Sequence, residues 1–338
     1  MFTRYLNTII QGNTLSESQM SQLMDEIFSG RVSDIRIGAF MAALATRGET
    51  FEELAGAAKA MRRKALRIQT PGATVVDTCG TGGDTAGTFN ISTTAAFVVA
   101  GCSVTVAKHG NRSVTSNCGS ADLLEALGVK LDTVPELVEE AVSDIGIGFL
   151  YAPLYHSAMR FAAGARKDIG IRSIFNMLGP LTNPAAANCQ LVGVYNPQLT
   201  EMFAGALRLL GSRRAFVVHG HDGLDEISVC APTRVSELNQ DRIRTYDLYP
   251  ETFFGKTAAP EDLAGGDPET NADITRRILN GEKGPKRDIV LINASAALVA
   301  AGKAENLTDG IRLAEVSIDS GAASEKLIAL IQFTRKNG

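Results

Sequence analysis

One arrangement repeats in succession and restricts the fold more than any other feature. The β-branched run Thr74-Val75-Val76-Asp77 leads into Gly80-Thr81-Gly82-Gly83-Asp84, and an apolar stretch over 92–100 follows. Next, Val104-Thr105-Val106-Ala107 leads into Lys108-His109-Gly110-Asn111-Arg112-Ser113, with a helical pattern over 120–127 behind it. A strand that runs through a loop into a helix must return by a crossover, which makes neighbouring strands parallel. Further strand patterns at 147–151, 191–194, 215–218 and 227–229 continue the alternation, with a helix at 135–143 and another at 199–210. The expected fold is α/β, with a large domain built on a mainly parallel central sheet.

The flanks have a different texture. Up to about residue 68 the apolar positions recur at helical spacing, as in Leu15, Met20, Leu23, Met24 and Ile27, or Ile35, Ile37, Phe40, Met41 and Leu44. Ser16 and Ser33 suit N-caps, and Gly30 and Gly48 suit stops. No strand pattern occurs there, so 1–70 is expected to form a small helical domain, ending at Pro71-Gly72, with 71–338 as the α/β domain. Residues 153–161 and 169–177 read as helices that leave the sheet, and 169–185 is expected to pack on the N-terminal helices. Residues 232–268 read as short strands and an irregular connection. The C-terminal part reads as helical at 272–279, 289–301, 309–319 and 323–333.

Both loops suit phosphate. Glycine lets backbone N–H groups approach an anion, hydroxyls add donors, and Lys108 and Arg112 add charge. Two such loops in series suggest a ligand with more than one phosphate. Neither fits GxxxxGK[ST] or GxGxxG, so ATPase and dinucleotide readings are unsupported. Taken alone, Ser92 would more often be an N-cap, and a charged turn is usually a solvated one. The formal net charge of −4 argues against a general nucleic-acid binder, so charge for an anion must be supplied locally.

Asp222-Gly223-Leu224-Asp225-Glu226 reads equally well as a Mg²⁺ clamp or as an acidic turn. The four histidines, His109, His156, His219 and His221, are too scattered to make a triad, and neither G-x-S-x-G nor HExxH is present. Five cysteines without CxxC spacing fit free thiols in a reducing compartment. The longest apolar stretches, 95–102 and 296–301, are too short to span a bilayer, and the N-terminus has no signal pattern. A cytoplasmic protein without membrane contact is expected.

In combination these motifs resemble the anthranilate phosphoribosyltransferases. The resemblance rests on Gly80-Thr81-Gly82-Gly83-Asp84, Thr88-Phe89-Asn90-Ile91-Ser92-Thr93, Lys108 to Ser113 and Gly119-Ser120-Ala121-Asp122. It continues through the run from Phe175 to Pro184, Asp222 to Glu226, Asn293-Ala294-Ser295 and Asp319-Ser320-Gly321. It implies transfer of phosphoribose from 5-phosphoribosyl 1-pyrophosphate to anthranilate, a step of tryptophan biosynthesis. It also implies the fold class shared with pyrimidine nucleoside phosphorylases, Mg²⁺ as cofactor, and a homodimer. A phosphorylase-like enzyme is the alternative within that class, and a non-catalytic nucleic-acid-binding relative is the alternative outside it.

Carried over by residue, the resemblance assigns Gly80, Gly83, Asp84, Thr88, Asn90, Ile91, Ser92, Thr93, Lys108, Asn111, Arg112, Ser116 and Ser120 to the phosphoribosyl donor. It assigns Ser92, Asp225 and Glu226 to Mg²⁺. Gly80, His109, Asn111, His156, Arg166 and Pro180 would line the anthranilate path, with Arg166 on the carboxylate. No residue is expected to act as acid or base; Asn111, Arg166 and His109 would position the reactants. The chain departs from the family pattern at Asn117-Cys118, where Lys-Ser is usual. It departs again at Ser157, where Pro is usual, and at Gly164-Ala165, where Pro-Val is usual.

Overall fold

The computed structural model describes residues 1–70, 72–83, 86–113 and 117–337. Four helices open the chain: α1 (Phe2–Ile10), α2 (Glu17–Phe28), α3 (Asp34–Arg47) and α4 (Phe51–Lys64). Capping boxes start α2 at Ser16 and α4 at Thr50, each satisfying two backbone N–H groups that the helix leaves open. Glu53, the second half of the α4 box, is fully buried and also accepts from the Leu15 N–H and pairs with Arg47. The carboxylate thereby joins α4 to the turn before α2.

The sheet has seven strands in the order β3-β2-β1-β4-β5-β6-β7. These are β1 (Val76–Gly80), β2 (Val106–Gly110), β3 (Ile147–Tyr151), β4 (Cys189–Gly193), β5 (Arg214–Gly220), β6 (Thr233–Asn239) and β7 (Arg242–Leu248). The pairs among β1 to β5 are parallel, and β5-β6-β7 are antiparallel. Helices α5 (Ile91–Gly101), α6 (Ser120–Leu127) and α7 (Pro135–Asp144) follow the first strands. The excursion expected near 153–185 contains α8 (Ala152–Tyr155), α9 (Arg160–Ile169) and α10 (Ile174–Met177). Then come α11 (Leu199–Leu209), α12 (Glu251–Phe254), α13 (Pro268–Leu279), α14 (Pro285–Ala301), α15 (Leu307–Asp319) and α16 (Ala322–Asn337).

Alternation along the strands divides the core into two faces. Leu191, Phe216 and Val218 face α5 and the C-terminal helices. Val192, Val194, Ala215 and Val217 face the other way and join one apolar cluster with α2, α3, α4, α10 and α11. Phe175 packs edge-on against Phe28, with ring centroids 6.3 Å apart. Helix α5 is apolar on every side because it is covered on every side, by β1 and β2 below and by α14, α15 and α16 above.

Four sequence expectations change. The second loop does not begin at Lys108: β2 runs on to Gly110, so Lys108 and His109 are strand residues pointing to opposite faces. Residues 227–229 form no strand, since side chains of Asn293 and Thr233 take the backbone bonds that a ladder would. The helices expected over 153–161 and 169–177 are redrawn: the first breaks at His156, α9 fills the gap between them and stops at the Gly170 cap, at φ +63°, and only the short α10, begun by Ser173, remains of the second. The region after 232 contains a regular β6-β7 hairpin, with Val235 opposite Tyr246.

Candidate active site

Strand order reverses at β1. From it the chain moves outward to β2 and β3, then returns to β4 on the other side. In open α/β sheets the crevice beyond the strand ends at such a switch point is where ligands bind. Here the two strand ends are Gly80 and Gly193, paired in register. Both glycines are needed because the loop after β5 crosses directly over them. A Cβ on Gly193 would lie 1.5 Å from the Asp225 carbonyl oxygen, and one on Gly80 would lie 2.5 Å from Asp225 Oδ2.

That crossing brings the acidic pair to the first loop. The Gly82 N–H donates to Asp225 Oδ2 at 2.9 Å, and the Ser92 N–H, at the start of α5, donates to Glu226 Oε1 at 3.1 Å. Donors read from the sequence as phosphate ligands therefore hold carboxylate oxygens, and a helix N-terminus favours any such anion. Asp222 serves the loop itself: it accepts from Ser228 Oγ at 2.5 Å, and it is not part of the carboxylate pair at the crevice. Asn293, fully buried on α14, clamps the next residue. Its Oδ1 accepts from the Ile227 N–H and its Nδ2 donates to the Ile227 carbonyl, both at 2.9 Å.

The remaining donor-side residues separate into an open and a buried set. Asn111, Ser120 and Thr88 line the rim; Ser120 Oγ bonds the backbone of Asn111, and Thr88 bridges to Ala264. Arg112 is turned outward onto Asp122, at 3.0 Å, and Glu125 of α6. Asn90 uses its amide to join Cys118 and Asn271, each at 3.0 Å. The Ile91 side chain is in the core, so only its backbone can serve a ligand. The Thr93 hydroxyl is buried without a hydrogen-bond partner among the described residues. Lys108 is buried as well, its ammonium on the Thr78 carbonyl at 2.5 Å, and desolvation pulls its pKa down against the opposing pull of Asp77. Asp84 and Ser116 lie outside the described residues.

Of the residues assigned to the anthranilate path, His109, His156 and Pro180 come together on the opposite face of the sheet. His109 and His156 are buried with their Nε2 atoms 3.2 Å apart, and His109 Nδ1 is 3.1 Å from the Gly179 carbonyl. One tautomer set satisfies both contacts: His109 donates from Nδ1 to Gly179, and His156 donates from Nε2 to His109. That leaves His156 Nδ1 as a buried acceptor, and it has no partner among the described residues. Desolvation lowers both pKa values, to about 3 for His109 and about 4 for His156, so both rings are neutral near pH 7. Pro180 is beside Gly179, its carbonyl bonded by Gln190 at 2.8 Å. Arg166 lies over the Phe175 ring at 5.9 Å, half-buried, and its guanidinium makes no hydrogen bond or ion pair among the described residues. The Gly164 departure has a steric reason: a Cβ there would be 2.5 Å from Asp34 Oδ2, at the start of α3.

Two contributors escaped the sequence reading. Arg172 donates to the Gly83 carbonyl at 2.5 Å and stacks on Tyr195 at 4.4 Å. Asn293 belongs to a run on which the resemblance rests but was given no role there; between Ile292 and Ala294, in the apolar stretch of α14, a polar residue asks for a buried partner.

The same organisation occurs in known proteins. Residues 3–65 match the helical bundle domain of a glycosyl transferase family, and residues 72–324 match its a/b domain. An anthranilate phosphoribosyltransferase of Desulfosudis oleivorans is 69% identical over 100% of both chains, and one of Syntrophobacter fumaroxidans is 70% identical over 98% of both. The crystal structure of the Thermus thermophilus anthranilate phosphoribosyltransferase superposes with a TM-score of 0.93 at 44% identity, covering 98% of this chain and 99% of that one. A Saccharomyces cerevisiae anthranilate phosphoribosyltransferase in complex with PRPP and Mg gives 0.90 at 30% identity, over 99% and 98%. Identity of this extent, spread over the helical and the α/β parts alike, places the chain among these proteins: it belongs to the anthranilate phosphoribosyltransferase family.

Proposed function

We propose that this chain transfers the phosphoribosyl group of 5-phosphoribosyl 1-pyrophosphate to anthranilate, releasing pyrophosphate, as a step of tryptophan biosynthesis. The observation that carries this reading is the meeting of Asp225 and Glu226 with the Gly80–Gly83 loop and the α5 N-terminus at the switch point. Arg166 on the other face, unpaired among the described residues, supports it, since a planar guanidinium suits a carboxylate bidentately. Related structures from Saccharomyces cerevisiae carry PRPP with Mg in one case and 4-fluoroanthranilate in another.

The donor set fits Mg²⁺ delivered with a phosphorylated substrate. Asp225 and Glu226 supply hard oxygens, but among the described residues no group of three or more acidic, His or Cys side chains forms a complete cage. In this reading Asp225, Glu226 and Ser92 hold the ion, and bound Mg²⁺ would neutralise charge on departing pyrophosphate. The chain's own groups do the rest. The Gly82 and Ser92 N–H groups fix the two carboxylates in place, and Thr88, Asn111 and Ser120 at the rim offer donors to the anionic oxygens. The Lys108 cation lies beneath the cradle and raises its potential without contact. The neutral histidines shape an acceptor path without adding a charge that competes with Arg166. The aromatic amine already carries its lone pair, so orientation and leaving-group stabilisation carry the reaction.

A homodimer through the helical domain and a cytoplasmic location complete the proposal. Among the described residues no helix is long and apolar enough to cross a membrane. The test follows anthranilate fluorescence after addition of the phosphoribosyl donor and Mg²⁺. Consumption in the wild type, lost in Asp225→Asn and Glu226→Gln, is expected. A folded wild type that leaves anthranilate untouched would overturn the reading.

A further inference from the structure

Arg172 belongs to neither substrate set, yet it lies between them: its side chain holds the donor loop, and its backbone continues the segment that carries Arg166. Its guanidinium donates to the Gly83 carbonyl, at the end of the donor loop, across 2.5 Å. Its Cζ lies over the Tyr195 ring, 4.4 Å from the centroid. Tyr195 is itself tied to that loop, its N–H donating to Thr81 Oγ1 at 3.1 Å, and the Thr81 N–H donates to the Gly193 carbonyl at 2.9 Å. Gly83 is shaped for the contact. Its φ of +83° suits glycine alone, and a Cβ there would lie 2.6 Å from Arg172 Nη2.

The other end of the segment carries the acceptor anchor. Arg166 is in the last turn of α9, and Arg172 follows just past the Gly170 cap. Ser173 then opens α10 with a capping box to Asn176, and α10 supplies the Phe175 ring beneath Arg166. Two caps and one stacked pair leave this stretch little freedom. A displacement of Gly83 is therefore delivered, through Arg172, to the segment that fixes Arg166.

We propose that Arg172 is a positioning residue that couples the two substrate sites, so that occupation of the donor loop strengthens binding of the aromatic carboxylate at Arg166. This rests on the function proposed above. Arginine suits the task because its fork bonds a carbonyl in the plane while its face stacks on an aromatic ring, which lysine cannot do together. Coupling of this kind is reciprocal and commonly amounts to about 5- to 150-fold in affinity.

The experiment measures the anthranilate Kd by fluorescence with and without Mg²⁺ and pyrophosphate, a pair that fills the loop without turnover. In the wild type, pyrophosphate should tighten anthranilate by about fivefold or more, and anthranilate should tighten pyrophosphate by the same factor. In Arg172→Gln both factors should fall toward one, while the thermal midpoint and the anthranilate Kd without pyrophosphate stay near wild type. Tyr195→Leu should lose coupling from the opposite side, and Tyr195→Phe, which keeps the ring, should retain it. Undiminished coupling in Arg172→Gln, or none in a wild type that consumes anthranilate, overturns the inference. A wild type that consumes no anthranilate at all overturns the function beneath it instead.

Discussion

The buried histidine pair makes stability depend on pH in a calculable way. His109 and His156 have folded pKa values of about 3 and about 4, against an ordinary 6.5, because burial penalises the imidazolium in both and the His156 ring further disfavours charge on His109. Below 6.5 the unfolded chain takes up two protons that the folded chain refuses. The sign follows: the stabilisation is complete above the unfolded value and is lost as pH falls from there toward the folded values. Each histidine contributes a slope approaching ~1.4 kcal/mol per pH unit, so the pair should cost about 2 kcal/mol between about pH 6 and about pH 5. That is a large share of a typical total of about 5–15 kcal/mol. Urea unfolding at a series of pH values reads the slope directly. Carboxylates also titrate in this range, so the informative quantity is a difference. His156→Phe keeps a ring, deletes one titration and removes the neighbour of His109, and its slope should be about half the wild-type slope. Equal slopes in the two proteins would refute the claim that this pair is held neutral by its setting.

Three other expectations address separate parts of the site. Arg166→Ala should raise the anthranilate KM by about 10- to 100-fold, the value of a charge-assisted pair, with the donor KM nearly unchanged; equal rises in steady-state kinetics would remove its role as anchor. Gly193→Ala places a methyl 1.5 Å from the Asp225 carbonyl, so the acidic loop must lift. It should cost ~1–3 kcal/mol or more and raise the Mg²⁺ concentration needed for half-maximal turnover, and a wild-type Mg²⁺ titration would contradict it. Asn293→Ala strips partners from both backbone groups of Ile227 in a buried place and should lower unfolding free energy by ~2–4 kcal/mol, whereas a loss under ~0.5 would show that the clamp is dispensable.

Much of this was legible because local patterns report local geometry. The β-branched runs at Val76 and Val106 mark parallel strands, and the apolar stretch after Asn90 marks a buried helix. What sequence could not show is where a strand stops when polar residues continue it. Lys108 and His109 look like loop residues, yet strand β2 holds them in register with Phe149 and Leu150 of β3, and on the other side the Asp77 side chain accepts the His109 N–H at 3.1 Å. Likewise Ile227-Ser228-Val229 has strand composition, but its bonds go to side chains: Asn293 from far along the chain and Thr233 from just beyond it. Arg166 and Asp225 could be named through resemblance; Arg172 could not, since its meaning depends on Gly83, far away along the chain.

The apolar cluster shared by the first helices and the sheet has a consequence for synthesis. Leu23, Met24, Phe40 and Leu54 reach full burial only in company with Val192, Phe203, Val217 and Leu238. Arg62, late in α4, donates to the Leu181 carbonyl at 2.7 Å and lies near that of Leu210 at 3.4 Å. A ribosome delivering the chain from its N-terminus therefore exposes methionine- and leucine-rich helix faces well before the strands that cover them have emerged. During that interval the nascent helices present a sticky surface, of the kind that calls on chaperones or pairs with a second nascent chain. Residues 1–70 expressed alone should accordingly remain aggregation-prone, for want of a lid that the same gene encodes more than a hundred codons later.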